Sequence, residues 1–146
     1  MEVPHMKRAV PLALALAAVL AVPASAKTKL PTRSFIVLTA VDSVDNGAAG
    51  DSVGDLTVFK FTVFDRRGGR RIGGGHGSCL RTEAGVANDC TANSSLPGGR
   101  IVLAWEEYDG QRVSRAAIVG GTGRYKALRG DMRLTSLSPS EVGAGG

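Results

Sequence analysis

Residues 117–130 read Ala117-Ile118-Val119-Gly120-Gly121-Thr122-Gly123-Arg124-Tyr125-Lys126-Ala127-Leu128-Arg129-Gly130. The apolar start is typical of the end of a β-strand, and Gly120, Gly121 and Gly123 allow positive φ angles that other residues adopt only with strain. Residues 125–128 predict one short helical turn, after which Gly130 lets the chain enter a new strand. The stretch therefore predicts a sharp corner between two strands of an all-β protein.

Short strands are predicted throughout the chain, because apolar and polar residues alternate between turns rich in Gly, Pro and Asp. In the clearest strand, Phe59, Phe61 and Val63 share one face. Residues 138–146 contain Pro139 and three glycines and give at best a weak eighth strand. The pattern favours a β-barrel or sandwich, with strands at residues 35–41, 56–64, 72–82, 90–96, 101–105, 113–119 and 131–137.

The first 26 residues have the organisation of a secretory signal peptide. Lys7 and Arg8 form a positive segment, residues 9–22 are an almost unbroken apolar run, and Ala24-Ser25-Ala26 fits a cleavage site. The run is about 14 residues, whereas a membrane-spanning helix needs roughly 20, which disfavours a permanent anchor. We expect cleavage after Ala26, export to the extracellular space, a mature domain of residues 27–146 and no membrane partner.

Charge and length describe one basic domain. The net charge of the full chain is +5, and removal of Glu2, Lys7 and Arg8 with the leader leaves +4. The basic residues are spread along the sequence, which favours a solvated surface and no nucleic-acid partner. Four arginines flank Gly68-Gly69, but no aromatic residue is interleaved for base stacking, so a solvated hairpin turn is favoured over a site for an acidic partner.

Cys79 and Cys90 are the two cysteines of the chain. In an oxidising compartment they are expected to form a structural disulfide, which would stabilise the fold by about 3 kcal/mol. The competing interpretation is a free reactive thiol at Cys79, with its pKa lowered by Arg81 or His76.

The glycines of the third predicted strand do not form a phosphate-binding loop. Gly73, Gly74, Gly75 and Gly77 lack the Gly-Lys-Ser/Thr ending and the following helix that such loops need, and they favour a bulge or close backbone approach. His76 has no second histidine at metal-site spacing, so a hydrogen-bonded structural role is expected and no metal.

The chain resembles the dirigent and allene oxide cyclase superfamily over residues 51–137. The resemblance rests on Gly54-Asp55 before an aromatic strand, on Ile72-Gly73 with Gly77 and Cys79, on the turn at residues 96–101 and on the corner at residues 117–130. Its most specific part is the signature corner, made of Gly120, Gly121, Thr122, Gly123 and Gly130.

The resemblance implies a closed eight-stranded antiparallel barrel, commonly a trimer, with an apolar cavity and no cofactor. Dirigent proteins of plants hold radicals made by a separate oxidase, and the cyclases fold a reactive epoxide before ring closure. Cyclases carry a glutamate and an asparagine on the first strand, whereas residues 35–41 have neither. Many plant dirigent proteins have an acidic residue where this chain has Arg124, so neither known chemistry transfers directly.

These observations predict a secreted dirigent-like protein that binds a small apolar or aromatic molecule and steers its reaction without a redox centre. Phe59, Phe61 and Trp105 are the expected ligand-binding residues, although ordinary core packing is the alternative for each. An isomerase or cyclase that uses Asp55, Tyr125 or Arg129 is the second hypothesis. A non-catalytic extracellular scaffold is the third.

Overall fold

A computed structural model describes residues 34–138 of the chain. Seven β-strands follow one another, and a single 3-10 turn, Gly123–Tyr125, separates the last two. The strands are β1 (Phe35–Val44), β2 (Leu56–Phe64), β3 (Arg71–Glu83), β4 (Ala87–Leu96), β5 (Gly99–Tyr108), β6 (Val113–Gly121) and β7 (Gly130–Thr135).

Every strand pairs antiparallel with the next one in the chain, so the sheet is a seven-stranded meander from β1 to β7. The predicted all-β antiparallel class is confirmed. Within residues 34–138, β1 and β7 make no contact with each other and form the two edges of the sheet. A closed barrel of eight strands is therefore not confirmed, and the predicted signal peptide and weak eighth strand lie outside the described residues.

One face of the sheet carries the core, and we call it the inner face. Strand pairing places Leu38 beside Phe61, Phe61 beside Gly75, and Gly75 beside Ser94, which in turn lies beside Ile101. Alternation then assigns every buried strand residue except Ala87 to this face. They are Phe61, Val63, Cys79, Cys90, Ala92, Ser94, Ile101, Leu103, Ala116 and Ile118.

The glycines of β3 make room for aromatic rings. A Cβ atom on Gly75 would lie 2.5 Å from Cζ of Phe61, and one on Gly77 would lie 2.5 Å from Cζ of Phe59. The two rings of β2 therefore lean across the bare backbone of β3, as the predicted close approach requires. A register shift opposite Val63 and Phe64 adds the predicted bulge at the start of β3.

The corner after β6 differs from the prediction in its backbone. Gly123 and Gly130 have φ angles of 58° and 130°, whereas Gly120 and Gly121 continue β6 without positive φ. Gly121 is instead required by space, because a Cβ atom there would collide with the backbone carbonyl oxygen of Tyr125. The short helical turn begins at Gly123, two residues before the predicted position.

Candidate functional site

Phe59, Phe61 and Trp105 meet on the inner face, and we call them the aromatic cluster. The Phe59 ring centroid lies 6.2 Å from that of Phe61 and 6.5 Å from that of Trp105, and both pairs of rings are tilted. Phe61 is buried, whereas Phe59 and Trp105 are half-buried. The structure thus brings together the three residues that the sequence indicated as ligand-binding candidates, and their role in binding stays a prediction.

The inner face of β1 is apolar but uncovered. Leu38 and Val41 lie opposite Phe61 and Phe59 in the register, yet they are 58% and 57% exposed. Ile36, opposite the buried Val63, is 42% exposed. An apolar surface thus runs from the aromatic cluster to the edge at β1, and a molecule bound there would bury area that is now in contact with water.

A disulfide and a carboxylate lie at one end of the aromatic cluster. Cys79 and Cys90, directly opposite each other on β3 and β4, form the predicted disulfide with a Cα–Cα distance of 4.1 Å. Oε2 of Glu107 lies 3.8 and 3.5 Å from their two sulfur atoms. Disulfide sulfurs carry no hydrogen, so this half-buried carboxylate receives no hydrogen bond from them.

Arg81 holds two carboxylates at the same end of the sheet. Its Nε lies 2.7 Å from Oδ1 of Asp51 and its Nη1 lies 2.9 Å from Oδ1 of Asp109. The hydrogen bond to Asp109 raises the pKa of Arg81 most, and the charges of Asp109 and Asp51 raise it further. This network ties the loop before β2 to the turn after β5.

Asp55 organises the loop between β1 and β2. Its carboxylate accepts hydrogen bonds from the backbone N–H groups of Asn46 (2.9 Å) and Ser52 (2.8 Å) and from the Ser52 hydroxyl (3.1 Å). These bonds, led by the Ser52 N–H, lower the pKa of Asp55. The carboxylate of this weak catalytic candidate therefore accepts hydrogen bonds that hold the loop in place.

The other two catalytic candidates lie at the opposite end of the sheet. Tyr125 is buried, and its hydroxyl donates to the carbonyl of Pro97 at 3.0 Å. Arg129 is exposed and donates to the carbonyl of its neighbour Leu128 at 2.6 Å. The length of β4, about 30 Å at 3.4 Å per residue, separates this end from Asp55, so the three candidates do not form one site.

Two shallow grooves of about 420 and 530 Å³ lie beside His76, mainly on the outer face of β2 and β3. His76 is exposed and pairs in register with Lys60 and Asn93. The expected structural hydrogen bond of His76 is absent among the described residues. His76 lies on the outer face with its imidazole open to solvent, where no protein partner is required.

Glu107 is the site residue that the sequence analysis missed. Its signal was available, because alternation along β5 puts Glu107 on the same face as Trp105. The predicted fifth strand ended at Trp105, two residues before Glu107. The described residues include Cys79, Cys90 and Glu107 within metal-ligand reach of one another, but the disulfide removes both thiolates as ligands.

No helix among residues 34–138 has the length and apolar character needed to cross a membrane.

Comparisons with known proteins bear on the fold. No family model matches the chain, and no curated protein matches it. Three chains among the solved structures do match. One of them is a pyocyanin demethylase, which superposes with a TM-score of 0.65 at 22% sequence identity over 74% of this chain and 90% of that chain. At this identity, the likeness shows that the two chains share a fold.

Proposed function

We propose that this chain is a secreted dirigent-like protein that binds a small apolar or aromatic molecule on its inner face. Bound there, the molecule is oriented and shielded from water, which steers the outcome of its reaction without a redox centre in the protein. The observation that carries this proposal is the aromatic cluster of Phe59, Phe61 and Trp105 beside an uncovered apolar strand.

Two further observations support the proposal. The disulfide between Cys79 and Cys90 is compatible with an extracellular protein. The structural neighbour carries the name of an enzyme that acts on a small molecule, pyocyanin, so the shared fold is one that serves small-molecule chemistry. Because a fold alone does not determine a function, the proposal rests on the inner-face residues, and the structural neighbour is only consistent with it.

The proposal includes closure of the barrel and self-association, as the resemblance to trimeric relatives implies. Nine of the ten residues of β1 are exposed, and Val37 and Val44 on this strand are apolar. Unpaired edges at β1 and β7 would otherwise invite uncontrolled pairing. Either the residues after 138 or a second copy of the chain covers the gap. A monomer in sedimentation at micromolar concentration would contradict self-association.

A thermal-shift screen with phenolic and fatty-acid-derived compounds tests the binding function. We expect at least one compound to raise the melting temperature of the wild-type protein, because ligand that binds only the folded state stabilises it by mass action. Phe59→Leu should reduce the shift produced by that compound, measured from the variant's own melting temperature.

Phe64→Leu is the matched control. Phe64 lies on the same strand as Phe59 but on the opposite face, so its loss removes the same ring without touching the aromatic cluster. An equal loss of the ligand-induced shift in melting temperature in both variants would argue against a binding site on the inner face. No shift with any compound would favour the scaffold alternative.

A further inference from the structure

The two ends of the meander carry opposite excess charges, although Arg81 and Arg112 lie among the carboxylates of one end and Asp65 among the arginines of the other. At the end where β2 begins, which we call the acidic end, lie Asp51, Asp55, Glu83, Glu106, Glu107 and Asp109. At the end where β2 finishes, the basic end, lie Arg66, Arg67, Arg70, Arg71, Arg124 and Arg129. A chain with a net charge of +5 thus presents a local negative field at one mouth of its inner face.

The carboxylates of the acidic end act on the ionisation of a neighbouring tyrosine. The pKa of Tyr108 is raised, first by the hydrogen bond from its hydroxyl to Glu106 and then by the negative charges of Glu106, Glu83 and Asp89. Each of these contributions opposes formation of another anion. The same field favours the approach of a cation.

Glu107 is the carboxylate of this end that faces the aromatic cluster and has no cationic partner among residues 34–138. Asp51 and Asp109 are both paired with Arg81, whereas the carboxylate of Glu107 lies against the two disulfide sulfurs. Glu107 follows Trp105 on the same face of β5 by two residues, a rise of about 7 Å. A half-buried carboxylate beside aromatic rings is the arrangement that recognises organic cations.

We propose that the inner-face site selects aromatic cations, with Glu107 as the anion that pairs with the positive charge and the aromatic cluster as the surface that holds the rings. This inference rests on the proposed function, since it names the class of molecule that the same site binds. The basic end lies at the other end of the sheet and repels the same ligand, which fixes the direction of approach.

Isothermal titration calorimetry with two probes of similar shape tests the inference. N-methylquinolinium is a permanent cation, and quinoline at pH 7.5 is its neutral counterpart. We expect the wild-type protein to bind the cation more tightly, and more so at low salt. Glu107→Gln should cut the affinity for the cation about tenfold while leaving quinoline binding nearly unchanged.

Glu106→Gln is the matched control, because it removes the same charge from the adjacent residue on the outer face. It should leave the preference for the cation nearly intact, and melting temperatures establish that both variants are folded. Equal wild-type affinity for the two probes, or a full preference retained in Glu107→Gln, would overturn the inference and leave the proposed function standing. Failure to bind either probe would count against both.

Discussion

At the scale of single residues, missing side chains shape the inner face as much as present ones. Gly75 and Gly77 lie under the rings of Phe61 and Phe59. Because these glycines have no side chains, the two rings can pack against the backbone of β3. Their backbone needs no positive φ. Glycine is therefore required at these two positions for steric reasons, because a larger side chain would occupy the space of the rings.

Gly75→Ala should destabilise the fold by about 1–3 kcal/mol, because the new methyl group would overlap the Phe61 ring and the carbonyl of Asn93. Gly120→Ala is the control, since a Cβ atom there meets nothing within 4 Å and its φ is not positive. Urea unfolding curves measure both. Equal stability of the two variants would contradict the packing role of β3.

Asp55 gives the protein a specific sensitivity to acid. Because its pKa is lowered by hydrogen bonds in the folded state, its contribution to stability is fully present above its unfolded pKa of about 3.9. That contribution is lost as the pH falls below this value and through the lower folded pKa. Asp55→Asn should be less stable than wild type at neutral pH and should approach wild type on acidification.

Melting temperatures between pH 6 and pH 2 measure this difference. Asp89→Asn is a suitable comparison, because Asp89 is exposed and its side chain accepts no hydrogen bond within the described part of the chain. A gap between Asp55→Asn and wild type that stays constant down to pH 2 would contradict the role of Asp55 in holding the loop.

At the scale of elements, the corner between β6 and β7 packs against the turn between β4 and β5 and is hydrogen-bonded to it. Tyr125 is buried against Gly99, and its hydroxyl reaches Pro97 in the turn between β4 and β5. Thr122 completes the contact, because its hydroxyl accepts a hydrogen bond from the N–H of Arg100 at 3.1 Å. These contacts hold the corner after β6 against the start of β5, at the end of the sheet opposite the acidic end.

Tyr125→Phe should lower the free energy of unfolding by about 1 kcal/mol, the usual contribution of one hydrogen bond. It should leave ligand binding unchanged, because the residue lies at the other end from Glu107. Tyr108→Phe, which changes an exposed tyrosine, should lie within about 0.5 kcal/mol of wild type. Loss of ligand binding in a folded Tyr125→Phe protein would instead support Tyr125 as a site residue.

The elements themselves were largely predictable, because each strand begins and ends near the residue that alternation and turn chemistry indicate. The prediction for β2 matches its observed bounds, Leu56–Phe64. β5 is longer than predicted and runs to Tyr108, since pairing with β4 continues past the apolar residues. That extension places Glu107 on the inner face, beyond the predicted end of the strand at Trp105.

At the scale of the whole molecule, local sequence patterns could not predict contacts between residues that are far apart in the chain. Arg81 meets Asp51 and Asp109 only because the meander returns to the same end. The charge separation has the same origin, since alternate turns fall at opposite ends. Six arginines that look spread along the sequence lie at one end of the sheet, which local patterns do not predict.

The disulfide joins β3 to β4 at the acidic end, across a sequence separation of 11. The double variant Cys79→Ser/Cys90→Ser should lose about 3 kcal/mol of stability, as expected when a short loop is no longer closed in the unfolded chain. Chemical denaturation of the oxidised wild type and the variant measures the loss. Unchanged stability would contradict a structural role for this bond.

The central claim is that the inner face binds a small aromatic molecule, and Trp105 reports on it directly because it is the only tryptophan of the chain. Its fluorescence should change and saturate as an aromatic ligand found in the screen is added, since the ligand would lie against the indole ring. The half-saturation concentration should rise in Phe59→Leu and stay constant in Phe64→Leu. An emission spectrum of the folded protein that does not respond to a ligand known to bind would contradict the account.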